Sequence, residues 1–87
     1  MSISKVTLRF LRNAVAYGDV CMVLGDGVSF GIYGEDKRTM VHFFVSAKHN
    51  GDYTDIRVQY FRYSDSTDVS ESFAVSGSGW TEKEFKL

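Results

Sequence analysis

The chain has 87 residues, 44% hydrophobic and 24% charged, with a formal charge of −1, eight Gly, no Pro and a single Cys. That length suits one domain over residues 1–87, and seven Phe, five Tyr and one Trp supply enough bulk for a compact core, which excludes a disordered linker. One cysteine excludes an internal disulfide framework and a Cys-based zinc site, and the near-balanced charge disfavours both a strongly basic nucleic-acid binder and a polyanionic mimic.

Residues 1–18 carry Lys5, Arg9 and Arg12 and no acid, whereas residues 19–87 set seven bases against eleven acids. The three bases are a candidate contact for an anion or nucleic acid. No run reaches the roughly 18 apolar residues of a membrane helix, and Met1–Lys5 lacks a signal-peptide pattern, so a cytoplasmic protein with no membrane association is expected. With side chains placed 100° apart, residues 3–17 gather Ile3, Val6, Leu8, Phe10, Leu11, Ala14, Val15 and Tyr17 on one arc. Lys5, Arg9, Arg12, Asn13 and Ala16 fall on the other. Ser2 or Ser4 as N-cap and Gly18 as the left-handed C-terminal residue complete an amphipathic helix. The β-branched pair Val6-Thr7 and the alternation Val6, Leu8, Phe10 favour a strand instead.

Beyond Asp19 the apolar period becomes two. Val20–Leu24 and Val28–Tyr33 flank Gly25-Asp26-Gly27, which predicts a hairpin turning at Asp26-Gly27. In that register Val23 faces Phe30 and Cys21 faces Ile32 on an apolar side, so Cys21 reads as structural; Met22 faces Gly31 and Leu24 faces Ser29 on the other.

Asn50-Gly51 between residues 39–49 and 52–63 is the strongest hairpin signal in the chain. A two-residue loop at that pair sets Ala47 against Thr54, Val45 against Ile56, Phe43 against Val58 and Val41 against Tyr60 on a core face. Side-chain alternation then places Met40 with Phe61, His42 with Gln59, Phe44 with Arg57, Ser46 with Asp55 and Lys48 with Tyr53 on the opposite face. Residues 64–79 read as a polar loop followed by a short edge strand near 69–76. A last strand near 80–87 follows Gly77-Ser78-Gly79.

These elements predict an α+β fold, an N-terminal amphipathic helix packed on an antiparallel β-meander of about five or six strands. The alternative is a small all-β barrel whose first strand is residues 5–12.

The mixed face of the 39–63 hairpin is the candidate partner-binding surface: Met40, His42, Phe44, Tyr53, Arg57, Gln59, Phe61 and Tyr63. Aromatics, Met and Arg among hydrogen-bonding groups match the centre of a protein interface, and Phe44 opposite Arg57 suits a cation–π contact. His42 and His49 lack metal-ligand spacing, Gly25-Asp26-Gly27 lacks a phosphate-loop pattern, and Asp65, Asp68 and Glu71 lack the spacing of an EF-hand. No catalytic residue, metal or cofactor is therefore expected, and no motif carries a family resemblance. The expected function is that of a small non-catalytic adaptor or inhibitor, of the kind phages and mobile elements carry, acting on a protein partner or as a homodimer through this face. The alternative is single-stranded nucleic-acid binding, with bases stacked on the sheet aromatics and Lys5, Arg9 and Arg12 assisting.

Overall fold

Val6, Leu8 and Phe10 are buried while Lys5, Thr7, Arg9 and Leu11 are more accessible, the period-two signature of a strand. The computed structural model, which describes residues 5–25, 27–33 and 40–87, accordingly forms β1 (Lys5–Leu11) and β2 (Ala14–Tyr17) where a helix was expected. Arg12-Asn13 is a two-residue turn that sets Leu11 opposite Ala14. The expected N-caps Ser2 and Ser4 lie outside the described residues, and Gly18, at φ +57°, serves the turn that follows β2. A strand wins because its alternation sends Val6, Leu8 and Phe10 to one side, and the β-branched Val6-Thr7 pair fits its pleat.

Among the described residues eight antiparallel strands form two sheets, an all-β architecture that overturns the α+β expectation and agrees with its all-β alternative. The first sheet has the order β3 (Val20–Val23), β2, β1 and β8 (Thr81–Lys86). The second has the order β4 (Val28–Tyr33), β5 (Met40–Asn50), β6 (Tyr53–Arg62) and β7 (Thr67–Ser76).

The expected β3–β4 hairpin is absent, because β3 and β4 belong to different sheets and do not pair. The proposed turn residue Asp26 lies outside the described residues. Met22 and Leu24 turn toward the core; Val23 is exposed, and so is Cys21, which is therefore not the structural core residue expected. The last two strands also differ from a meander: β7 pairs with β6, and β8 crosses over to β1. As an edge strand of ten residues, β7 is longer than the short strand expected.

The β5–β6 loop is Gly51-Asp52, with Asn50 opposite Tyr53. Gly51 alone takes a positive φ, +53°, which is the type II′ arrangement with Gly at the first loop position. The register thus differs by two residues from the Asn50-Gly51 expectation. An even shift preserves both faces, so Val41, Phe43, Val45, Ile56, Val58 and Tyr60 are buried as expected.

Both sheets contribute to one core. Phe43 from β5 lies 4.9 Å from the Tyr60 ring and 6.0 Å from Phe85 of β8, and Phe10 of β1 meets Phe73 of β7 edge-on at 5.0 Å. Ser64 N–H to the Leu87 carbonyl, at 2.9 Å, fastens the end of the chain beside the β6–β7 turn. Among the described residues no helix is long and apolar enough to cross a membrane.

Candidate functional site

The outward residues of β5 and β6 sit on a face that no other described element covers. Met40, Phe44, Tyr53, Phe61 and Tyr63 are exposed, as are His42, Arg57 and Gln59. All eight residues singled out from the sequence therefore share one accessible surface, but they do not form one cluster.

At one end, Met40, His42, Phe44, Gln59, Phe61 and Tyr63 line a groove of about 540 Å³ closed on its far side by Asp68 and Ser70 of β7. Tyr53 and Arg57 lie toward the other end, where Lys48 pairs with Asp55 and Ser46 pairs with Arg57. The expected Phe44–Arg57 stacking is corrected by this register, which sets Gln59 opposite Phe44.

The groove has a cause in the backbone. Pairing between β5 and β6 runs from Asn50 opposite Tyr53 to Phe44 opposite Gln59 and stops there, although β5 continues to Met40 and β6 to Arg62. Beyond that point β5 pairs only with β4, and β6 only with β7. The two central strands part, and side chains occupy the opening. Tyr63 O–H donates to the Met40 carbonyl at 3.0 Å, taking over an acceptor that a continuous ladder would have used. Phe61 meets Tyr63 edge-on at 5.4 Å, and the His42 ring is tilted against Phe44 at 4.8 Å. His42 Nε2 and Ser29 Oγ share a hydrogen bond, which fixes the imidazole at the groove wall.

Gly31 of β4 supplies a further part that sequence reading missed. A Cβ there would stand 2.5 Å from Met40 Sδ, so the missing side chain is what lets Met40 lie against β4. The signal was present as a bulky residue facing a glycine, but the wrong strand pairing gave Gly31 to Met22 rather than to β5, where it pairs with His42 and borders Met40.

Lys5, Arg9 and Arg12 do not join this surface. Lys5 and Arg9 lie on the outer side of the first sheet, where Lys5 Nζ is 3.4 Å from Glu84 and Arg9 donates to the Gly18 carbonyl at 3.0 Å and lies 4.9 Å over the Trp80 ring. Arg12 donates to the Gly51 carbonyl at 3.2 Å at the end of the sandwich. Each cation has its own partner, so the three make no common anion site.

The loop acids are likewise separated. Asp65 takes two hydrogen bonds from Arg62, at 2.9 and 2.7 Å; Asp68 lines the groove and Glu71 points inward from β7. The Arg62 guanidinium holds the Asp65 carboxyl down to about 2. Among the described residues, no three His, Cys, Asp or Glu side chains are grouped to hold a metal ion. His49 hydrogen-bonds the buried Thr54 hydroxyl at 3.1 Å and so has a packing partner. No family model, curated protein or solved structure matches the chain, and its functional reading rests on this geometry.

Proposed function

We propose that the protein is a non-catalytic interaction module, an adaptor or inhibitor that seats a protein partner on the outer face of the β4–β7 sheet. The observation that carries this reading is the opening between β5 and β6, where Met40, Phe44, Phe61 and Tyr63 stand 37–52% exposed around one groove. Exposed apolar groups gathered around a concavity lose water-accessible area together when a partner enters, which is how interface anchors act. Strands of six, eleven, ten and ten residues, at about 3.4 Å per residue and about 4.8 Å apart, give a face of roughly 600 Å². That approaches the about 800 Å² per partner of a standard interface, so the face is large enough for specific association.

Phe44, Phe61 and Tyr63 supply the buried area in this reading. His42 and Gln59 supply hydrogen bonds inside the groove, and Arg57 and Tyr53 make contacts at the polar end. The exposed thiol of Cys21 supports a reducing, cytoplasmic setting, since a free surface thiol persists where disulfides do not.

Nucleic-acid binding is the second reading, favoured by four exposed aromatic rings on one sheet face: Phe44, Tyr53, Phe61 and Tyr63. Charge argues against it. The groove ends at Asp68, Lys48 is paired across strands with Asp55, and Lys5, Arg9 and Arg12 lie elsewhere. Affinity capture from the native host with wild type and a Phe44→Ala/Phe61→Ala variant side by side separates the outcomes. A protein retained by wild type and lost by the folded variant supports the reading, and equal recovery by both overturns it. An oligonucleotide complex whose affinity falls steeply with salt would replace it with the nucleic-acid alternative.

A further inference from the structure

Among the described residues four strands have an unpaired edge, β3 and β8 in the first sheet and β4 and β7 in the second. An open edge presents a row of N–H and C=O groups that pair with any extended chain unless something blunts them, and an inward-pointing charge is one such device. Two of the edges carry it. Glu71 points inward from the middle of β7 and is half-buried, and Lys83 does the same on β8, its ammonium 4.9 Å over the Phe73 ring.

The other two edges carry no such charge. β3 reads Val-Cys-Met-Val and β4 reads Val-Ser-Phe-Gly-Ile-Tyr, without one charged residue. They face each other across an apolar cavity of about 250 Å³ lined by Tyr17, Val20, Met22, Phe30 and Ile32 among others. β3 is only four residues long, which limits it as a template. β4 has six residues and strict alternation, with Val28, Phe30 and Ile32 inward and Ser29, Gly31 and Tyr33 outward.

We propose that β4 is a homodimerisation edge, pairing antiparallel with β4 of a second copy of this chain. Two-fold pairing requires a strand to be its own complement, and an uncharged strand of this alternation meets that requirement. Opposed residues share a face, so centring the two-fold axis on Gly31 sets Phe30 against Ile32 of the second copy and Tyr33 against its Ser29. No like charges meet. The two second sheets then continue into one sheet of eight strands, and the two grooves lie on the same side of it. A ladder of six residues buries less than the about 1,200–2,000 Å² of a tight interface, so the dimer dissociates on dilution. The pairing leaves the Phe44–Phe61 face free and stands or falls independently of what binds there.

Sedimentation velocity from micromolar to near-millimolar concentration tests this. Wild type is expected to rise from one to twice the chain mass. Ser29→Lys/Tyr33→Lys, which opposes lysines across the axis, is expected to stay at the chain mass throughout. Ser72→Lys on the β7 edge and Phe44→Ala/Phe61→Ala on the face are expected to dimerise as wild type does. A wild type that stays monomeric, a dimer that survives Ser29→Lys/Tyr33→Lys, or one lost with Phe44→Ala/Phe61→Ala overturns the proposal. Should the lysine variant fail to fold, amide exchange on wild type decides. Alternate β4 amides, those pointing away from β5, slow with rising concentration if the edge pairs, and unchanged rates overturn it.

Discussion

Tyr60 donates its phenolic O–H to the Lys86 backbone carbonyl at 2.8 Å, so a ring in the core of the second sheet also ties down the last strand of the first. Removing the hydroxyl keeps the packing and deletes one bond. Tyr60→Phe is expected to cost about 1 kcal/mol in urea unfolding, and roughly 4–8 °C in Tm for a chain of this size. Burial, with the nearby Glu71 carboxylate adding to it, raises the Tyr60 pKa above 10.0. The folded state therefore keeps the phenolic proton where the unfolded chain releases it. Its contribution is complete below pH 10 and is lost as pH climbs through the raised folded value. Comparing wild type with Tyr60→Phe should show the alkaline decline only in wild type, and identical pH profiles would refute the coupling.

The Arg62–Asp65 pair acts in the opposite window. Arg62 holds the Asp65 carboxyl at about 2 against an ordinary 3.8, so its stabilising effect is present above 3.8 and disappears as pH falls toward 2. Carboxyl-carbon NMR titration should place the wild-type midpoint near 2. In Arg62→Gln the midpoint should return toward 3.8. A wild-type value already in the ordinary range would mean that the bidentate contact does not persist in solution.

Gly31 separates groove geometry from stability. Its backbone is not in the left-handed region, and an added Cβ meets only the flexible end of Met40. Gly31→Ala is expected to change stability by less than about 1 kcal/mol while displacing Met40 and shifting its methyl resonance. Phe85→Ala, which empties a fully buried site, is expected to cost about 3–5 kcal/mol. If Gly31→Ala were as damaging as Phe85→Ala, the Met40 contact would belong to the core and not to the groove.

Trp80 is the sole tryptophan and stacks with Arg9 on the first sheet, away from the groove. Binding of a protein to the β4–β7 face should leave Trp80 emission unchanged while perturbing tyrosine signals from Tyr63. Arg9→Gln should shift the emission in the absence of any partner. A partner that quenches Trp80 without touching Tyr63 would relocate the interface to the first sheet.

The outward placement of the partner-surface residues was legible because alternation survives a register error of two, which left Met40, His42, Phe44, Tyr53, Arg57, Gln59 and Phe61 exposed. The opening that makes them a groove was not legible, since nothing in Met40–Phe43 or Tyr60–Arg62 announces that pairing stops at Phe44 and Gln59. Residues 3–17 misled for a physical reason: apolar side chains are dense enough there to fill a helical arc and a strand face alike. Arg12-Asn13, a turn, reads as helix surface on such a wheel. Gly25 and Gly27 misled because glycines suit a connection between two sheets as well as a turn back onto the neighbouring strand.

β1 and β8 pair with Lys5 opposite Lys86 and Val6 opposite Phe85, contacts between the two extremes of the numbering. During synthesis the first sheet therefore waits for its outermost strand, and Phe43 and Tyr60 have no cover from Phe85 until that strand emerges. A ribosome paused before residue 85 would hold a chain with its two halves patterned and its interior open to water. Closure from such distant contacts is slow, so the β1–β8 ladder is the step that completes this core.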